Sequence, residues 1–213
     1  RRWDASEVLL VSEAAERTWS AMQRARAAAA LKASQEELRG ELADARRLHE
    51  ASLRLIEEDD IQALYGHLLD AAVSVMGAQF GSIQVLDAER QQLKLLASRG
   101  FTPEAQAYFS VVDAHGGSSC GAALAAGERV VIADMEASEV MAGTRDLEVS
   151  LACGMRSVQS TPLLSRDGYV VGMISTHWDR PHVPSERKLR LIDVLARQAA
   201  DLIERRAALE ELA

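Results

Sequence analysis

Apolar and polar positions follow a helical period near both ends of the chain and alternate between them. From Asp60, the run DIQALYGHLLDAAVSVM places Ile61, Leu64, Leu68, Ala72 and Val75 on one helical stripe. Asp60 is suited to cap that helix and Gly77 to stop it. A second stripe starts near Ser185 and carries Leu189, Ile192, Leu195, Ala199, Leu202 and Leu209. Ahead of both, residues 4–58 contain no proline and only Gly40, and are dense in Ala, Glu, Leu and Arg, which favours one long helix. Within it, Leu31, Leu38, Ala45 and Ser52 fall every seven residues, and Leu42 and Ile56 sit four after Leu38 and Ser52. This is a coiled-coil seam interrupted at Gln35 and His49, with Leu48 and Leu55 out of register. So narrow a stripe on so long a helix predicts pairing with a second copy; the competing expectation is packing on its own domain.

The middle of the chain reads as strands. GSIQVLD and QLKLLAS are joined by a short polar turn, and Asp167-Gly168 links SVQSTPLL to YVVGMISTHW, so two hairpins are predicted. ERVVIADM supplies a further strand. Between them, Pro103 opens a short helix through Phe109, and GGSSCGAALAAG reads as a small-residue helix capped by Ser118 or Ser119 and closed by Gly127. A loosely helical loop runs from Ser138 to about Leu151. Hairpin-joined strands with helices gathered before and after them predict an α+β domain, an antiparallel sheet carrying its terminal helices on one face.

Alternation sorts the polar side chains by face. Ser82 and Gln84 oppose Ile83 and Val85; Ser157, Gln159 and Thr161 oppose Val158 and Ser160; Ser175 and His177 oppose Ile174, Thr176 and Trp178. With the strands in register, Ser82, Gln84, Gln159, Thr161, Ser175 and His177 are expected on one side. Two readings stay open: the wet face of a half-exposed sheet, or the floor of a small-molecule pocket roofed by residues 100–155.

Composition narrows the function. Of 213 residues, 48% are hydrophobic and 26% charged, an ordinary globular balance, and with only 4% aromatic the core must be aliphatic. A net charge of −8 excludes an electrostatically driven nucleic-acid partner. No apolar run reaches the roughly 20 residues that span a bilayer, and the first segment, interrupted by acidic residues, is not expected to be a signal peptide. The chain begins without Met inside helix-like sequence, which suggests a piece of a longer protein. Two cysteines, Cys120 and Cys153, fit a reducing compartment, so a cytoplasmic location is expected.

Catalytic signatures are sparse. No phosphate-binding glycine loop, His-Glu-x-x-His or Cys-x-x-Cys occurs. Gly117-Ser118-Ser119-Cys120-Gly121 has the spacing of a nucleophile elbow, but no strand-like segment precedes it, and serine N-capping is the commoner role. Cys120 with His115, Cys153 and His177 offers a metal or thiol site; buried filler is the commoner fate of a free cysteine. The chain is expected to be non-catalytic.

FGSIQVLD, LKLLASRGF, SSCGAALAAGERVVIADM, RSVQSTPLLSRDGYVVGMISTHW and HVPSERKLRLIDVLARQAADLIERR together resemble a GAF domain, in particular those of bacterial sensor histidine kinases. The resemblance covers about residues 56–206. It leaves residues 1–55 as a signalling helix of coiled-coil type and 207–213 as the start of an output helix. It implies a six-stranded antiparallel sheet with helices mediating a parallel homodimer on one face and a ligand cavity on the other. The implied function is a sensory module of two-component signalling, and the alternative a ligand-free dimerisation module. A third reading is an enzyme similar to the free-standing methionine sulfoxide reductases of this fold. The candidate ligand-binding residues are Ser82, Gln84, Gln159, Thr161, Ser175 and His177 from the strands, with Ser119 and Cys120 from the small-residue helix. The cofactor is unknown. Cys120 is followed by Gly121 where bilin-binding members commonly have His, the Asn-Lys-Phe-Asp-Glu run of the cyclic-nucleotide class is missing, and haem would need His177 or His115 as axial ligand.

Overall fold

The computed structural model describes residues 3–57, 60–113 and 117–211, the side chains at 11, 51–57, 210 and 211 excepted. The chain divides into two units, Arg1–Arg46 and Arg47–Ala213. Helix α1, Ala5–Glu57, forms the first unit and its C-terminal turns enter the second. Leu31, Leu38 and Leu42 of the expected seam are exposed along α1, whereas the side chains of Ser52 and Ile56 lie outside the described residues.

The second unit is built on one sheet. Helix α2 (Ile61–Met76) is capped by the Asp60 carboxylate, which accepts from the Gln62 amide, and ends on Gly77, whose φ of 64° a side chain would resist. Strands β1 (Phe80–Asp87) and β2 (Gln92–Arg99) follow as a hairpin, then α3 (Pro103–Tyr108), β3 (Val111–Asp113), α4 (Ser119–Ala126) and β4 (Val130–Ile132). Helix α5 (Arg145–Ala152) leads to β5 (Ser157–Leu164), and β6 (Val170–Trp178) leads to α6 (Glu186–Glu211). All strand pairs are antiparallel, and the six strands lie in the order β3-β2-β1-β6-β5-β4. The three-residue strand β3 was not legible in the sequence: Val111 and Val112 are too short a run to alternate, and they pair only because β2 presents its edge.

Each face of the sheet has its own core. On one, α2 and α6 bury Leu64, Leu68, Ile192 and Leu195 against Ile83, Ile174 and Trp178. On the other, the short helices and loops between β2 and β5 bury Met135, Met141, Met155 and Val158, beside a neighbouring cluster of Leu93, Val112, Cys120 and Met173. The architecture is α+β, an antiparallel sheet with its long helices on one face. Among the described residues no helix is long and apolar enough to cross a membrane.

Candidate functional site

The face opposite α2 and α6 carries a row of hydroxyl groups. Ser82 of β1 pairs with Ser175 of β6, which pairs with Ser160 of β5, so three serines line up across three adjacent strands. Residues opposite one another in a sheet project to the same side. Ser160 and Ser175 hydroxyls lie 2.8 Å apart. Helix α4 docks its first turn on this row: the Ser118 hydroxyl caps it by accepting from the Gly121 amide at 3.0 Å. That places Ser119 Oγ 2.9 Å from Ser160 Oγ, and Cys120 Sγ 3.3 Å from Ser175 Oγ. Burial pushes the Cys120 thiol up, against a smaller opposite pull from the Ser175, Ser160 and Ser119 hydroxyls. The site therefore holds a neutral thiol in a satisfied hydroxyl cluster.

Beside this cluster the same face opens into a small cavity of about 30 Å³, comparable with the space one water occupies in the liquid. Gln84 and His177 line it from β1 and β6. Phe101 stands edge-on to His177, with ring centroids 5.8 Å apart, and edge-on to Phe109 at 6.0 Å. His177 is 8% exposed and Gln84 2%. Among the described residues, neither imidazole nitrogen of His177 has a hydrogen-bond partner, nor does Gln84 Oε1. Burial alone pushes the His177 pKa down to about 3, so the ring is neutral at physiological pH and offers one donor and one acceptor.

Of the eight candidate residues, the structure brings Ser82, Gln84, Ser119, Cys120, Ser175 and His177 together around this cavity and its serine floor. Gln159 and Thr161 lie on the opposite face, which corrects the expectation that all six strand residues converge. The cause is a bulge in the β5–β6 hairpin: Leu164 pairs with Val170 but Leu163 with Gly172, so Val171 is an extra residue. Without it, regular pairing would set Gln159 opposite Ser175; with it, Gln159 faces Thr176 and Thr161 faces Ile174. One residue of slip exchanges the two faces of a strand. Ser160, grouped in the sequence with the apolar side, is the residue that belongs on the floor.

Gln159 and Thr161 are satisfied where they stand. Gln159 Nε2 donates to Thr176 Oγ1 at 3.1 Å, and Thr161 Oγ1 donates to Gln159 Oε1 at 2.7 Å. Arg129, just before β4, donates from Nε to Thr161 Oγ1 at 2.8 Å and from Nη2 to the Leu189 carbonyl at 3.3 Å, and pairs with Asp193 of α6. This chain runs from the back of the sheet to the C-terminal helix.

Other sequence candidates fall away from the cavity or outside view. Cys153 accepts from the Thr102 amide at 3.4 Å and packs in the methionine cluster; both cysteines are free thiols. His115 lies outside the described residues. Among the described residues, no three His, Cys, Asp or Glu side chains are grouped to hold a metal ion. Phe101, Phe109 and Met141 also line the cavity; in the sequence their only signal is their place in the expected roof, residues 100–155.

The fold recurs in solved structures. The GAF domain of an Acinetobacter phosphoenolpyruvate-protein phosphotransferase shares 18% identity, with 79% of this chain and 98% of that chain covered at a TM-score of 0.67. A domain of a putative two-component sensor histidine kinase from Sinorhizobium meliloti shares 23%, covering 70% and 93%, at 0.56. Free methionine-R-sulfoxide reductase from Neisseria meningitidis, in complex with its substrate, shares 19%, covering 77% and 91%, at 0.62. At these identities the likeness is one of fold. No curated protein sequence matches the chain. The sequence model of the GAF domain, however, matches residues 58–204, and with that the serine-floored cavity and its six-stranded sheet have a family: the chain belongs to the GAF domain proteins.

Proposed function

We propose that this chain is a ligand-sensing and relay module of a signalling protein, with a two-component histidine kinase as the expected parent. A small molecule enters the cavity between the sheet and helices α3 to α5 and biases the paired helices of a homodimer. The observation that carries this reading is the set of unanswered polar atoms at the cavity, His177 Nδ1 and Nε2 and Gln84 Oε1. A buried polar group without a partner costs about 1–3 kcal/mol, a cost that a bound molecule can recover. The relay is supported by β5, whose Ser160 reaches the cavity floor while its neighbours Gln159 and Thr161 join the polar chain to α6. A ligand shifts such an equilibrium only by its differential affinity for the two helix arrangements.

The test is a metabolite panel read by thermal melting on the wild type and on His177→Phe. A compound that raises the wild-type melting temperature and leaves the variant unmoved supports sensing at this cavity.

A second reading, a ligand-free dimerisation module, is favoured by the cavity's size, which suits one or two waters. Native mass spectrometry with no occupant and a panel without a shift would select it. The reductase reading is weakened by the burial of Cys120, since the thiolate is the nucleophile and burial disfavours it.

A further inference from the structure

All but one of the groups around the cavity carry no charge. Ser82, Ser119, Gln84, His177 and Cys120 present hydroxyl, amide, imidazole and thiol groups. Among the described lining residues there is no Lys or Arg, and the one formal charge is Asp146. Asp146 sits in the first turn of α5, half-exposed and near the Tyr108 hydroxyl. Desolvating an ion without a partner costs far more than desolvating a neutral polar group. An anion would find no counter-charge here and would meet Asp146. A cation would be desolvated against the neutral lining of Gln84, His177 and the serines, with only the half-exposed Asp146 to answer it.

The unmet demand is specific. Gln84 Oε1 accepts only, so its missing partner is a donor. Phe101, Phe109 and Met141 give the rest of the wall an apolar surface.

We infer that the cavity selects a small uncharged molecule that donates a hydrogen bond to Gln84 and lays an apolar body against Phe101, Phe109 and Met141. The inference rests on the sensing reading and adds the chemical class of the ligand. Nucleotides, phosphorylated metabolites, carboxylates and amines are excluded by it; primary amides and alcohols of a few heavy atoms, the size that so small a cavity favours, are included.

The experiment uses the full chain with ¹³C-methyl methionine, because Met135 and Met141 both line the cavity. Acetamide, acetate and methylammonium are titrated at equal ionic strength. Acetamide is expected to shift both methyl resonances saturably, and the two ions to leave them in place. Gln84→Leu should weaken acetamide about tenfold, equivalent to about 1.4 kcal/mol. If Gln84→Leu does not fold, Gln84→Met, closer in shape and likewise without the amide acceptor, reads the same loss. Acetate or methylammonium binding as tightly as acetamide overturns the charge class and leaves sensing intact. No response of either methyl to any of the three overturns both.

Discussion

Ser160 and Thr161 are consecutive, yet their hydroxyls serve opposite sides of the sheet: Ser160 Oγ lies 2.8 Å from Ser175 Oγ on the cavity floor, and Thr161 Oγ1 lies 2.8 Å from Arg129 Nε behind it. Arg129 in turn pairs with Asp193 of α6, so a displacement of β5 at the cavity would have a direct side-chain route to that helix. Thr161→Val keeps the shape but leaves Arg129 Nε and Gln159 Oε1 without this partner. It should cost about 1–3 kcal/mol in urea unfolding. Combined with Ser160→Ala, the two changes should depart from additivity by at least about 0.5 kcal/mol. Strict additivity would mean that the two faces do not communicate through the strand.

The bulge that sorts these faces sits beside Gly172. A Cβ there would run into the carbonyl oxygen of Gln84 and come within 3.1 Å of Ile203 and Leu163. Backbone cannot step aside as a side chain can, so Gly172→Ala should destabilise by about 1–3 kcal/mol or more. It should also disturb the Gln84 side of the cavity, visible in the Met135 and Met141 methyl resonances. A variant as stable as the wild type would show that β1 and β6 are not so closely apposed.

His177 sets an acid limit on stability. Its folded pKa is about 3, below the ordinary value of 6.5, so the unfolded chain binds the proton more readily. Above about pH 6.5 the imidazole is neutral in both states and the difference vanishes. As pH falls from there toward 3, stability declines by up to about 1.4 kcal/mol per unit. The half-exposed His182 is depressed too and adds a smaller loss of the same sign. His177→Phe should match or exceed the wild type at pH 7, having removed two unpartnered nitrogens. Its advantage should widen between pH 6 and 4, as followed by urea unfolding at each pH. Parallel pH profiles would place the ring in contact with water.

Much of this architecture was legible because local rules and tertiary demands agree. Asp60 and Gly77 bound α2 where the sequence puts them, and Ser118 with Gly127 does the same for α4. The β5–β6 hairpin was equally plain from Asp167-Gly168, but its register was not. Alternation reports which residues of one strand share a face, never which face, and the extra Val171 reversed the answer for Gln159, Thr161 and Ser160. Polar count was a poor guide for the same reason: Gln159 and Thr161 are buried polar groups answered by Thr176 and Arg129 in a satisfied network. The cavity wall was obscure because Phe101, Phe109 and Met141 meet only through tertiary contacts between loops and short helices.

The long helix carries the last prediction. Leu31 and Leu38 are 61% and 65% exposed on α1, a seven-residue spacing that faces no partner within the unit it belongs to. Fully burying a leucine contributes about 1.5–3 kcal/mol, so two such positions on each of two helices supply several kcal/mol to a pair. The wild type is expected to be a dimer at micromolar concentration by light scattering. Leu31→Asp with Leu38→Asp should make it monomeric, because four carboxylates then face one another across the seam. The GAF domain itself should melt at an unchanged temperature, since neither residue belongs to its core. A wild type that remains monomeric at high concentration, or a variant that stays dimeric, would move the dimer contact off this seam and remove α1 from the relay.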